Sequence, residues 1–228
     1  MLRNQGNVDS YLGESIMAYW GAPSAVPDGP RRACRVALQS MRIEEELRAQ
    51  DPDGFPAETR NIFAVHAGRA LAGNIGSAKQ MSYTVIGDNA EIGWKLKRFN
   101  HRYGTRIIVS DSVHSAVADQ FWFRRLDVIP LYGSFEALAI YELLGERGEP
   151  LTADVQDFVS RYERGLAALR AADWEAAQPL FDALLAEYPE DRSVRLMALK
   201  CEARDTSLCP RLAGFSAELG DDSSARAL

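Results

Sequence analysis

Strand-type patterning stops at one place in this sequence, and that stop constrains the fold more than any other feature. Up to Gly145, short alternating or β-branched runs are cut by Gly-containing turns. From Thr152 onward no run has the period of a strand. The stretch between them, "GERGEP" (Gly145 to Pro150), is dense in turn residues and marks a boundary near Gly148. Residues 1–146 are therefore expected to form one α+β unit, residues 150–208 a small all-α tail, and residues 209–228 a flexible end.

Within the first unit, "NVDSYLGESIMAYW" reads as a β-hairpin. Val8, Ser10 and Leu12 alternate on one side of a Gly13-Glu14 tip, and Ile16, Ala18 and Trp20 on the other. A Gly/Pro-rich loop follows. Asp28 as cap and Pro30 in the first turn then predict a helix to about Ala49, with Ala33, Val36, Ala37, Leu38, Met41 and Leu47 on its apolar face. Strands are predicted over residues 61–67, at "YTVIGD", over 105–110, and on both sides of a Gly133-Ser134 turn, with a hairpin at "GNIGS". Short helices are predicted over residues 90–100 and 111–118. This mixture of hairpins and helices is an α+β pattern, without the strict alternation of a doubly wound sheet. "GNIGS" lacks the Lys-Ser/Thr and the strand-to-helix setting of a phosphate loop, so within that hairpin it is read as the tight turn.

In the tail, Val155, Phe158, Val159, Tyr162, Leu166 and Leu169 make one helical stripe, and Trp174, Ala177, Leu180, Phe181 and Leu184 a second. Gly165, Ala177, Phe181, Ala183 or Leu184, and Pro189 stand near the spacing of one tetratricopeptide-type helix pair. A lone pair cannot bury its own apolar face. The tail is therefore expected to pack on the first unit or on a second copy, with Trp174 and Phe181 carrying the contact.

Composition bounds the partners. The 228 residues carry a net charge of −6 and a pI near 5.2, which argues against bulk attraction to nucleic acid or anionic lipid. The three cysteines, Cys34, Cys201 and Cys209, have no metal spacing and imply a reducing compartment. No apolar run is long enough to span a bilayer and the N-terminus lacks a signal-type apolar region, so a cytoplasmic chain is expected. His66 lies in an apolar strand and reads as a satisfied core or edge histidine.

Four blocks in order, "NVDSYLGESIMAYWGAP", "AGRALAGNIGS", "YTVIGDNAEIGWKLKRFNHRYGTRIIVSDS" and "FRRLDVIPLYGSFEALAIYEL", resemble the class III adenylate/guanylate cyclase catalytic domain over about residues 5 to 143. The tail is similar to helical segments that follow this domain in some bacterial cyclases. The resemblance implies a ferredoxin-like sheet with helices packed on it. It also implies head-to-tail homodimers or heterodimers with composite sites, and two magnesium or manganese ions. The family reaction takes ATP or GTP to the 3′,5′-cyclic nucleotide and pyrophosphate, a phosphorus–oxygen lyase activity.

The positions that would do this are altered here. The chain begins just before the hairpin, so the family's first strand, its metal carboxylate and the two following helices are expected to be missing. Glu14 stands where the family's second metal carboxylate, an Asp, sits at the hairpin tip. It is either a remnant of that ligand or a solvated turn residue. Ser10 replaces the purine-reading Lys, while Thr84 matches the other purine position. Glu91 and Lys95 stand where the family has an Asn and an Arg for ribose and phosphate. At about 6 Å and an effective dielectric near 20, a carboxylate facing phosphate costs roughly 3 kcal/mol. Glu91 and Lys95 also have the spacing of an ordinary exposed helix pair.

The expected function is thus that of a cyclase-family protein in cyclic-nucleotide signalling with little or no activity of its own. The alternatives are a subunit completed by a partner, a non-catalytic dimerisation or docking module, and a decayed gene product. Without its first strand the sheet is expected to leave an open edge and uncovered apolar side chains.

Overall fold

The computed structural model describes residues 1–55, 60–77, 79–130 and 137–206. A 3-10 turn at Leu2–Asn4 leads into the hairpin of β1 (Asn7–Leu12) and β2 (Ser15–Tyr19). Gly13 turns it with a φ of 58°, a left-handed value that suits a residue without Cβ. The chain then enters the long helix α1 (Gly29–Gln50). Asp28 is its N-cap residue, yet its carboxylate bonds no backbone amide. It accepts from Arg32 Nε at 2.7 Å instead, because an arginine one turn on can reach it.

β3 (Phe63–Val65), β6 (Ile107–Ser110), β7 (Phe121–Pro130) and β8 (Ala137–Glu146) form the central sheet in the order β3-β6-β8-β7. The β3–β6 pair is parallel, and the other two pairs are antiparallel. β4 (Leu71–Ser77) and β5 (Gln80–Ile86) make a second hairpin, in which "GNIGS" is paired strand from Gly73 to Ser77 and not the turn that its glycines suggested. α2 (Asp88–Tyr103) and α3 (Asp111–Val117) flank β6 in sequence. Neither hairpin is laddered to the central sheet, so the one continuous sheet expected from the sequence is three separate sheets here. β3, only three residues long, is an edge of the central one. The expected Gly133-Ser134 turn, Cys209 and the end segment 209–228 lie outside the described residues.

Each face of the central sheet carries its own core. Ile107 and Val109 of β6 pack with Cys34, Ala37 and Leu38 of α1 and Val113 and Val117 of α3. Ile108 points the other way, toward Leu96 and Tyr103 of α2. A bulge in β7 between Arg125 and Asp127 shifts the alternation, so that Arg124, Asp127 and Ile129 all look toward the α2 side.

That second core runs without a break into the tail. α4 (Ala153–Arg170), α5 (Trp174–Glu187) and α6 (Arg192–Glu202) are each capped by a side-chain oxygen, from Thr152, Asp173 and Asp191 respectively. Tyr162, Leu166, Phe181, Val194 and Met197 share one cluster with Ile108, Leu126 and Ile140 of the sheet. The tail does pack on the first unit, but by other residues than expected. Phe181 lies edge-on to Tyr162, with ring centroids 5.6 Å apart, and crowds Gly165, where an added Cβ would come within 2.9 Å of its ring. It thus joins α5 to α4. Trp174 is only partly buried at the rim of the cluster.

Polar contacts cross the same seam beside the apolar cluster. Tyr162 donates its hydroxyl to the Leu126 carbonyl at 3.3 Å. Lys200 Nζ and the Tyr103 hydroxyl both donate to Asp127 Oδ2, at 2.7 and 2.8 Å. Arg124 lies against the neighbouring rings of Phe158 and Tyr162, 4.9 Å from each centroid, and bonds Glu142 and Asp191, each at 2.9 Å. Ser193 and Arg192 donate to the carbonyls of Tyr103 and His101, completing the C-terminal end of α2. Cys34 and Cys201 are free, and burial pushes their thiols up to about 12 and about 11. Among the described residues no helix is long and apolar enough to cross a membrane.

Candidate functional site

The residues singled out from the sequence fall on three neighbouring elements: the first hairpin, β5 and α2. Glu14 occupies the hairpin tip and is exposed. Among the described residues no group of three or more His, Cys, Asp or Glu side chains could hold a metal ion. A lone exposed carboxylate does not meet the octahedral demand of magnesium, so the described residues do not by themselves fit the two-ion set that the resemblance implies.

Ser10 is half-buried on β1, next to a bulge between Val8 and Ser10. The bulged residue, Asp9, is what reaches β5: Thr84 Oγ1 donates to Asp9 Oδ1 at 2.6 Å. Burial raises the Tyr19 hydroxyl, and the charges of Asp9 and Tyr83 add to the rise. The Thr84 hydroxyl is therefore already engaged by a carboxylate of this chain. Asp9 escaped the sequence reading. Its one signal was an aspartate inside a strand, where that residue is disfavoured.

Glu91 and Lys95 lie one turn apart on α2, whose first turn also holds Asp88, as suits the positive end of a helix. Lys95 Nζ donates to Glu91 Oε2 at 3.2 Å, and their side chains are 45% and 70% exposed. The pair is thus closed on itself at the surface. Two residues on, Lys97 donates to Ser15 Oγ and ties α2 to β2. Ser15, Trp94, Lys95, Lys97, Arg98 and His101 line an open pocket of about 380 Å³. Its basic walls stand out in a chain of net charge −6. Only Lys95 of these was named from sequence. Lys97 gave no local signal, because its partner lies 82 residues away.

His66 is satisfied at both ring nitrogens. Nδ1 contacts Ser110 Oγ, and Nε2 contacts Asn89 Oδ1 in the first turn of α2, each at 2.8 Å. Asn89 sits so close to Gly68 that an added Cβ there would fall 2.2 Å from its side chain.

No protein-family model matches the chain. It is 34% identical over 143 residues to Adenylate cyclase 1 of Rhizobium meliloti, an alignment covering 62% of this chain and 21% of that protein. A terminal-differentiation-specific adenylate cyclase of Dictyostelium discoideum is 22% identical over 201 residues, covering 86% of this chain and 9% of its own length. An adenylate cyclase of Anabaena cylindrica is 27% identical, with 28% of its length covered. The chain thus spans less than a third of the length of each of these relatives. Among solved structures, the adenylyl cyclase CyaB from P. aeruginosa superposes with a TM-score of 0.56 at 22% identity, over 66% of this chain and 77% of that one. The guanylyl cyclase Cya2 gives 0.55 at 21%, over 66% and 75%. The mixed α+β fold matches these catalytic domains, and together with the sequence likenesses it supports a class III cyclase-like domain in this chain.

Proposed function

We propose that this cyclase-like domain serves cyclic-nucleotide signalling with little or no turnover of its own. The closed Glu91–Lys95 pair is the observation that supports this best. The resemblance puts a ribose-binding amide and a phosphate-gripping guanidinium at these two positions. An ionised glutamate has no proton to donate to a ribose oxygen. A lysine already held by its own carboxylate is a point charge without a fork, and a poor substitute for arginine on a phosphate. Ser10 is too short for the reach of a lysine, and Glu14 stands without a second carboxylate among the described residues. Residues 1–146 then act as the cyclase-type part, and residues 150–208 as a docked tail built on one tetratricopeptide-type helix pair. The cytoplasm is the compartment that keeps Cys34 and Cys201 reduced.

The test is cyclic AMP and cyclic GMP production by the purified chain from ATP or GTP, with magnesium and with manganese. The expected result is no product above background. Metal-dependent turnover that disappears in Glu14→Ala sinks the proposal.

A second reading, in which the domain pairs with a copy of itself or with another cyclase-type domain, draws on the two hairpins. Tyr11 is 71% exposed, Leu71 72% and Met81 63%, an unusual density of apolar surface for an uncovered pair of ribbons. Sedimentation across a concentration series should show a dimer that Tyr11→Asp with Met81→Asp disperses. A monomer at every concentration rules out self-pairing.

A further inference from the structure

Between Glu91 and Asp111 the sequence has no acidic residue, yet five Lys or Arg stand there, in a chain with 32 Asp and Glu. A merely solvated helix face interleaves the two signs. Part of this charge is matched across the fold. Lys95 is held by Glu91, and Arg106 by Glu44. Among the described residues, Lys97 and Arg98 have no carboxylate partner. A lysine can only donate, so Ser15 Oγ accepts from Lys97 and keeps its own proton for a further acceptor. Lys97 is thereby fixed between α2 and β2, while Arg98 beside it stays exposed. Trp94, Lys97, Arg98 and His101 recur at three- and four-residue intervals and so share one face of α2. With Ser15 and Lys95 they line the pocket of about 380 Å³, and no lining residue is acidic. The carboxy-terminal end of a helix repels anions. Here the carbonyls of His101 and Tyr103 are covered by Arg192 and Ser193 of α6.

We propose that this pocket binds a small phosphate monoester carried on a planar ring. Such a phosphate bears about two negative charges at neutral pH. Lys97 and Arg98 supply two positive ones, and the guanidinium fork of Arg98 matches two phosphate oxygens. The Ser15 hydroxyl and the His101 ring offer further donors. The Trp94 indole gives the ring of the ligand an aromatic wall. The volume lies at the small end of ligand sites and suits one phosphate and one ring. Lys95 also lines the pocket, but Glu91 offsets its charge. The site therefore rests on Lys97, Arg98 and Trp94 and stands whether or not the chain turns over a nucleotide.

The probe is phenyl phosphate, with inorganic phosphate as its ring-free counterpart. Each is titrated into the full chain at low ionic strength, and the Trp94 indole N–H and His101 ring resonances are followed by NMR. Phenyl phosphate should bind saturably with a Kd of about 1 mM or below. Inorganic phosphate should bind about tenfold more weakly, and added salt should weaken both. Arg98→Gln removes an exposed side chain with no described partner. It should lose about tenfold or more for both probes, since a hydrogen bond to a charged group is worth at least that. Trp94→Leu, read at His101, should bring phenyl phosphate down to the level of inorganic phosphate and leave inorganic phosphate unchanged. The site is overturned if neither resonance moves to saturation with phenyl phosphate, if the two probes bind the parent chain equally, or if Arg98→Gln binds both as tightly as the parent. None of these readouts depends on cyclic-nucleotide formation.

Discussion

The seam between sheet and tail and the surface around Glu91 place charge under opposite conditions. At the seam, Lys200 is 1% exposed and Asp127 5%, and each finds a short bond inside the core. Burial pushes Glu142 upward against the pull of Arg124, the cross-strand partner that keeps the site charged. On α2, Glu91 and Lys95 pair in water. The hairpins nearby expose Tyr11, Leu71 and Met81 and take no ladder bonds from the central sheet. The difference separates stability from function. The seam buries charges at positions to which the cyclase resemblance assigns no nucleotide or metal contact. The positions that it does mark sit where the fold has little to lose, and so could change without unfolding the domain.

The sharpest way to break this contrast is Asp127→Ala. It strands the Lys200 ammonium and the Tyr103 hydroxyl in the core, and losing one partner of a buried pair costs about 3–5 kcal/mol. Urea unfolding should show that loss, and adding Lys200→Met should recover much of it. A single-variant loss below about 1 kcal/mol would place the seam on the same footing as the surface. Next in size is Gly165→Ala, which forces the Phe181 ring to shift and should cost about 1–3 kcal/mol by overpacking the α4–α5 contact.

A pH experiment probes the buried carboxylate of α1. Burial alone would raise Glu44, but the Asn61 amide, Arg48 and Arg106 outweigh it and hold its carboxyl below the ordinary value. A lowered folded value means that its stabilisation is fully present above the ordinary carboxylate range and is lost as pH falls through the lowered value. Denaturant midpoints measured between about pH 6 and 3 should therefore fall less steeply in Glu44→Gln than in the parent chain. Equal slopes would remove Glu44 from the account. The smallest effect belongs to Glu91 and Lys95. A double-mutant cycle to alanine should give a coupling of about 0.2–0.5 kcal/mol, reduced by salt. A coupling above about 1 kcal/mol would mean that the pair is more than an exposed helix contact.

The sequence determined the local elements, because strand and helix periods and caps depend on residues a few positions apart. The first hairpin, the stripe of α1 from Ala33 to Leu38, and the Ala171-to-Asp173 break between α4 and α5 were legible in this way, whereas the "GNIGS" turn proved to be strand β4. So was the placement of Glu14 on a turn, and of Glu91 and Lys95 on one helix face. Partners far apart in the chain were not legible. Asp28 turned to Arg32 instead of its backbone, Thr84 found Asp9, and Tyr162 rather than Trp174 reached the sheet. Lys200 shares the buried face of α6 with Leu196 and Met197, and a lysine is seldom buried without a partner. It is buried only because a bulge in β7 aims Asp127, 73 residues earlier, at the same point in the core. Periodicity states which face of an element is apolar. Which faces meet, and which charges are thereby forced to pair, is decided only when the whole chain closes on itself, because desolvation acts on groups that tertiary contact has already brought together.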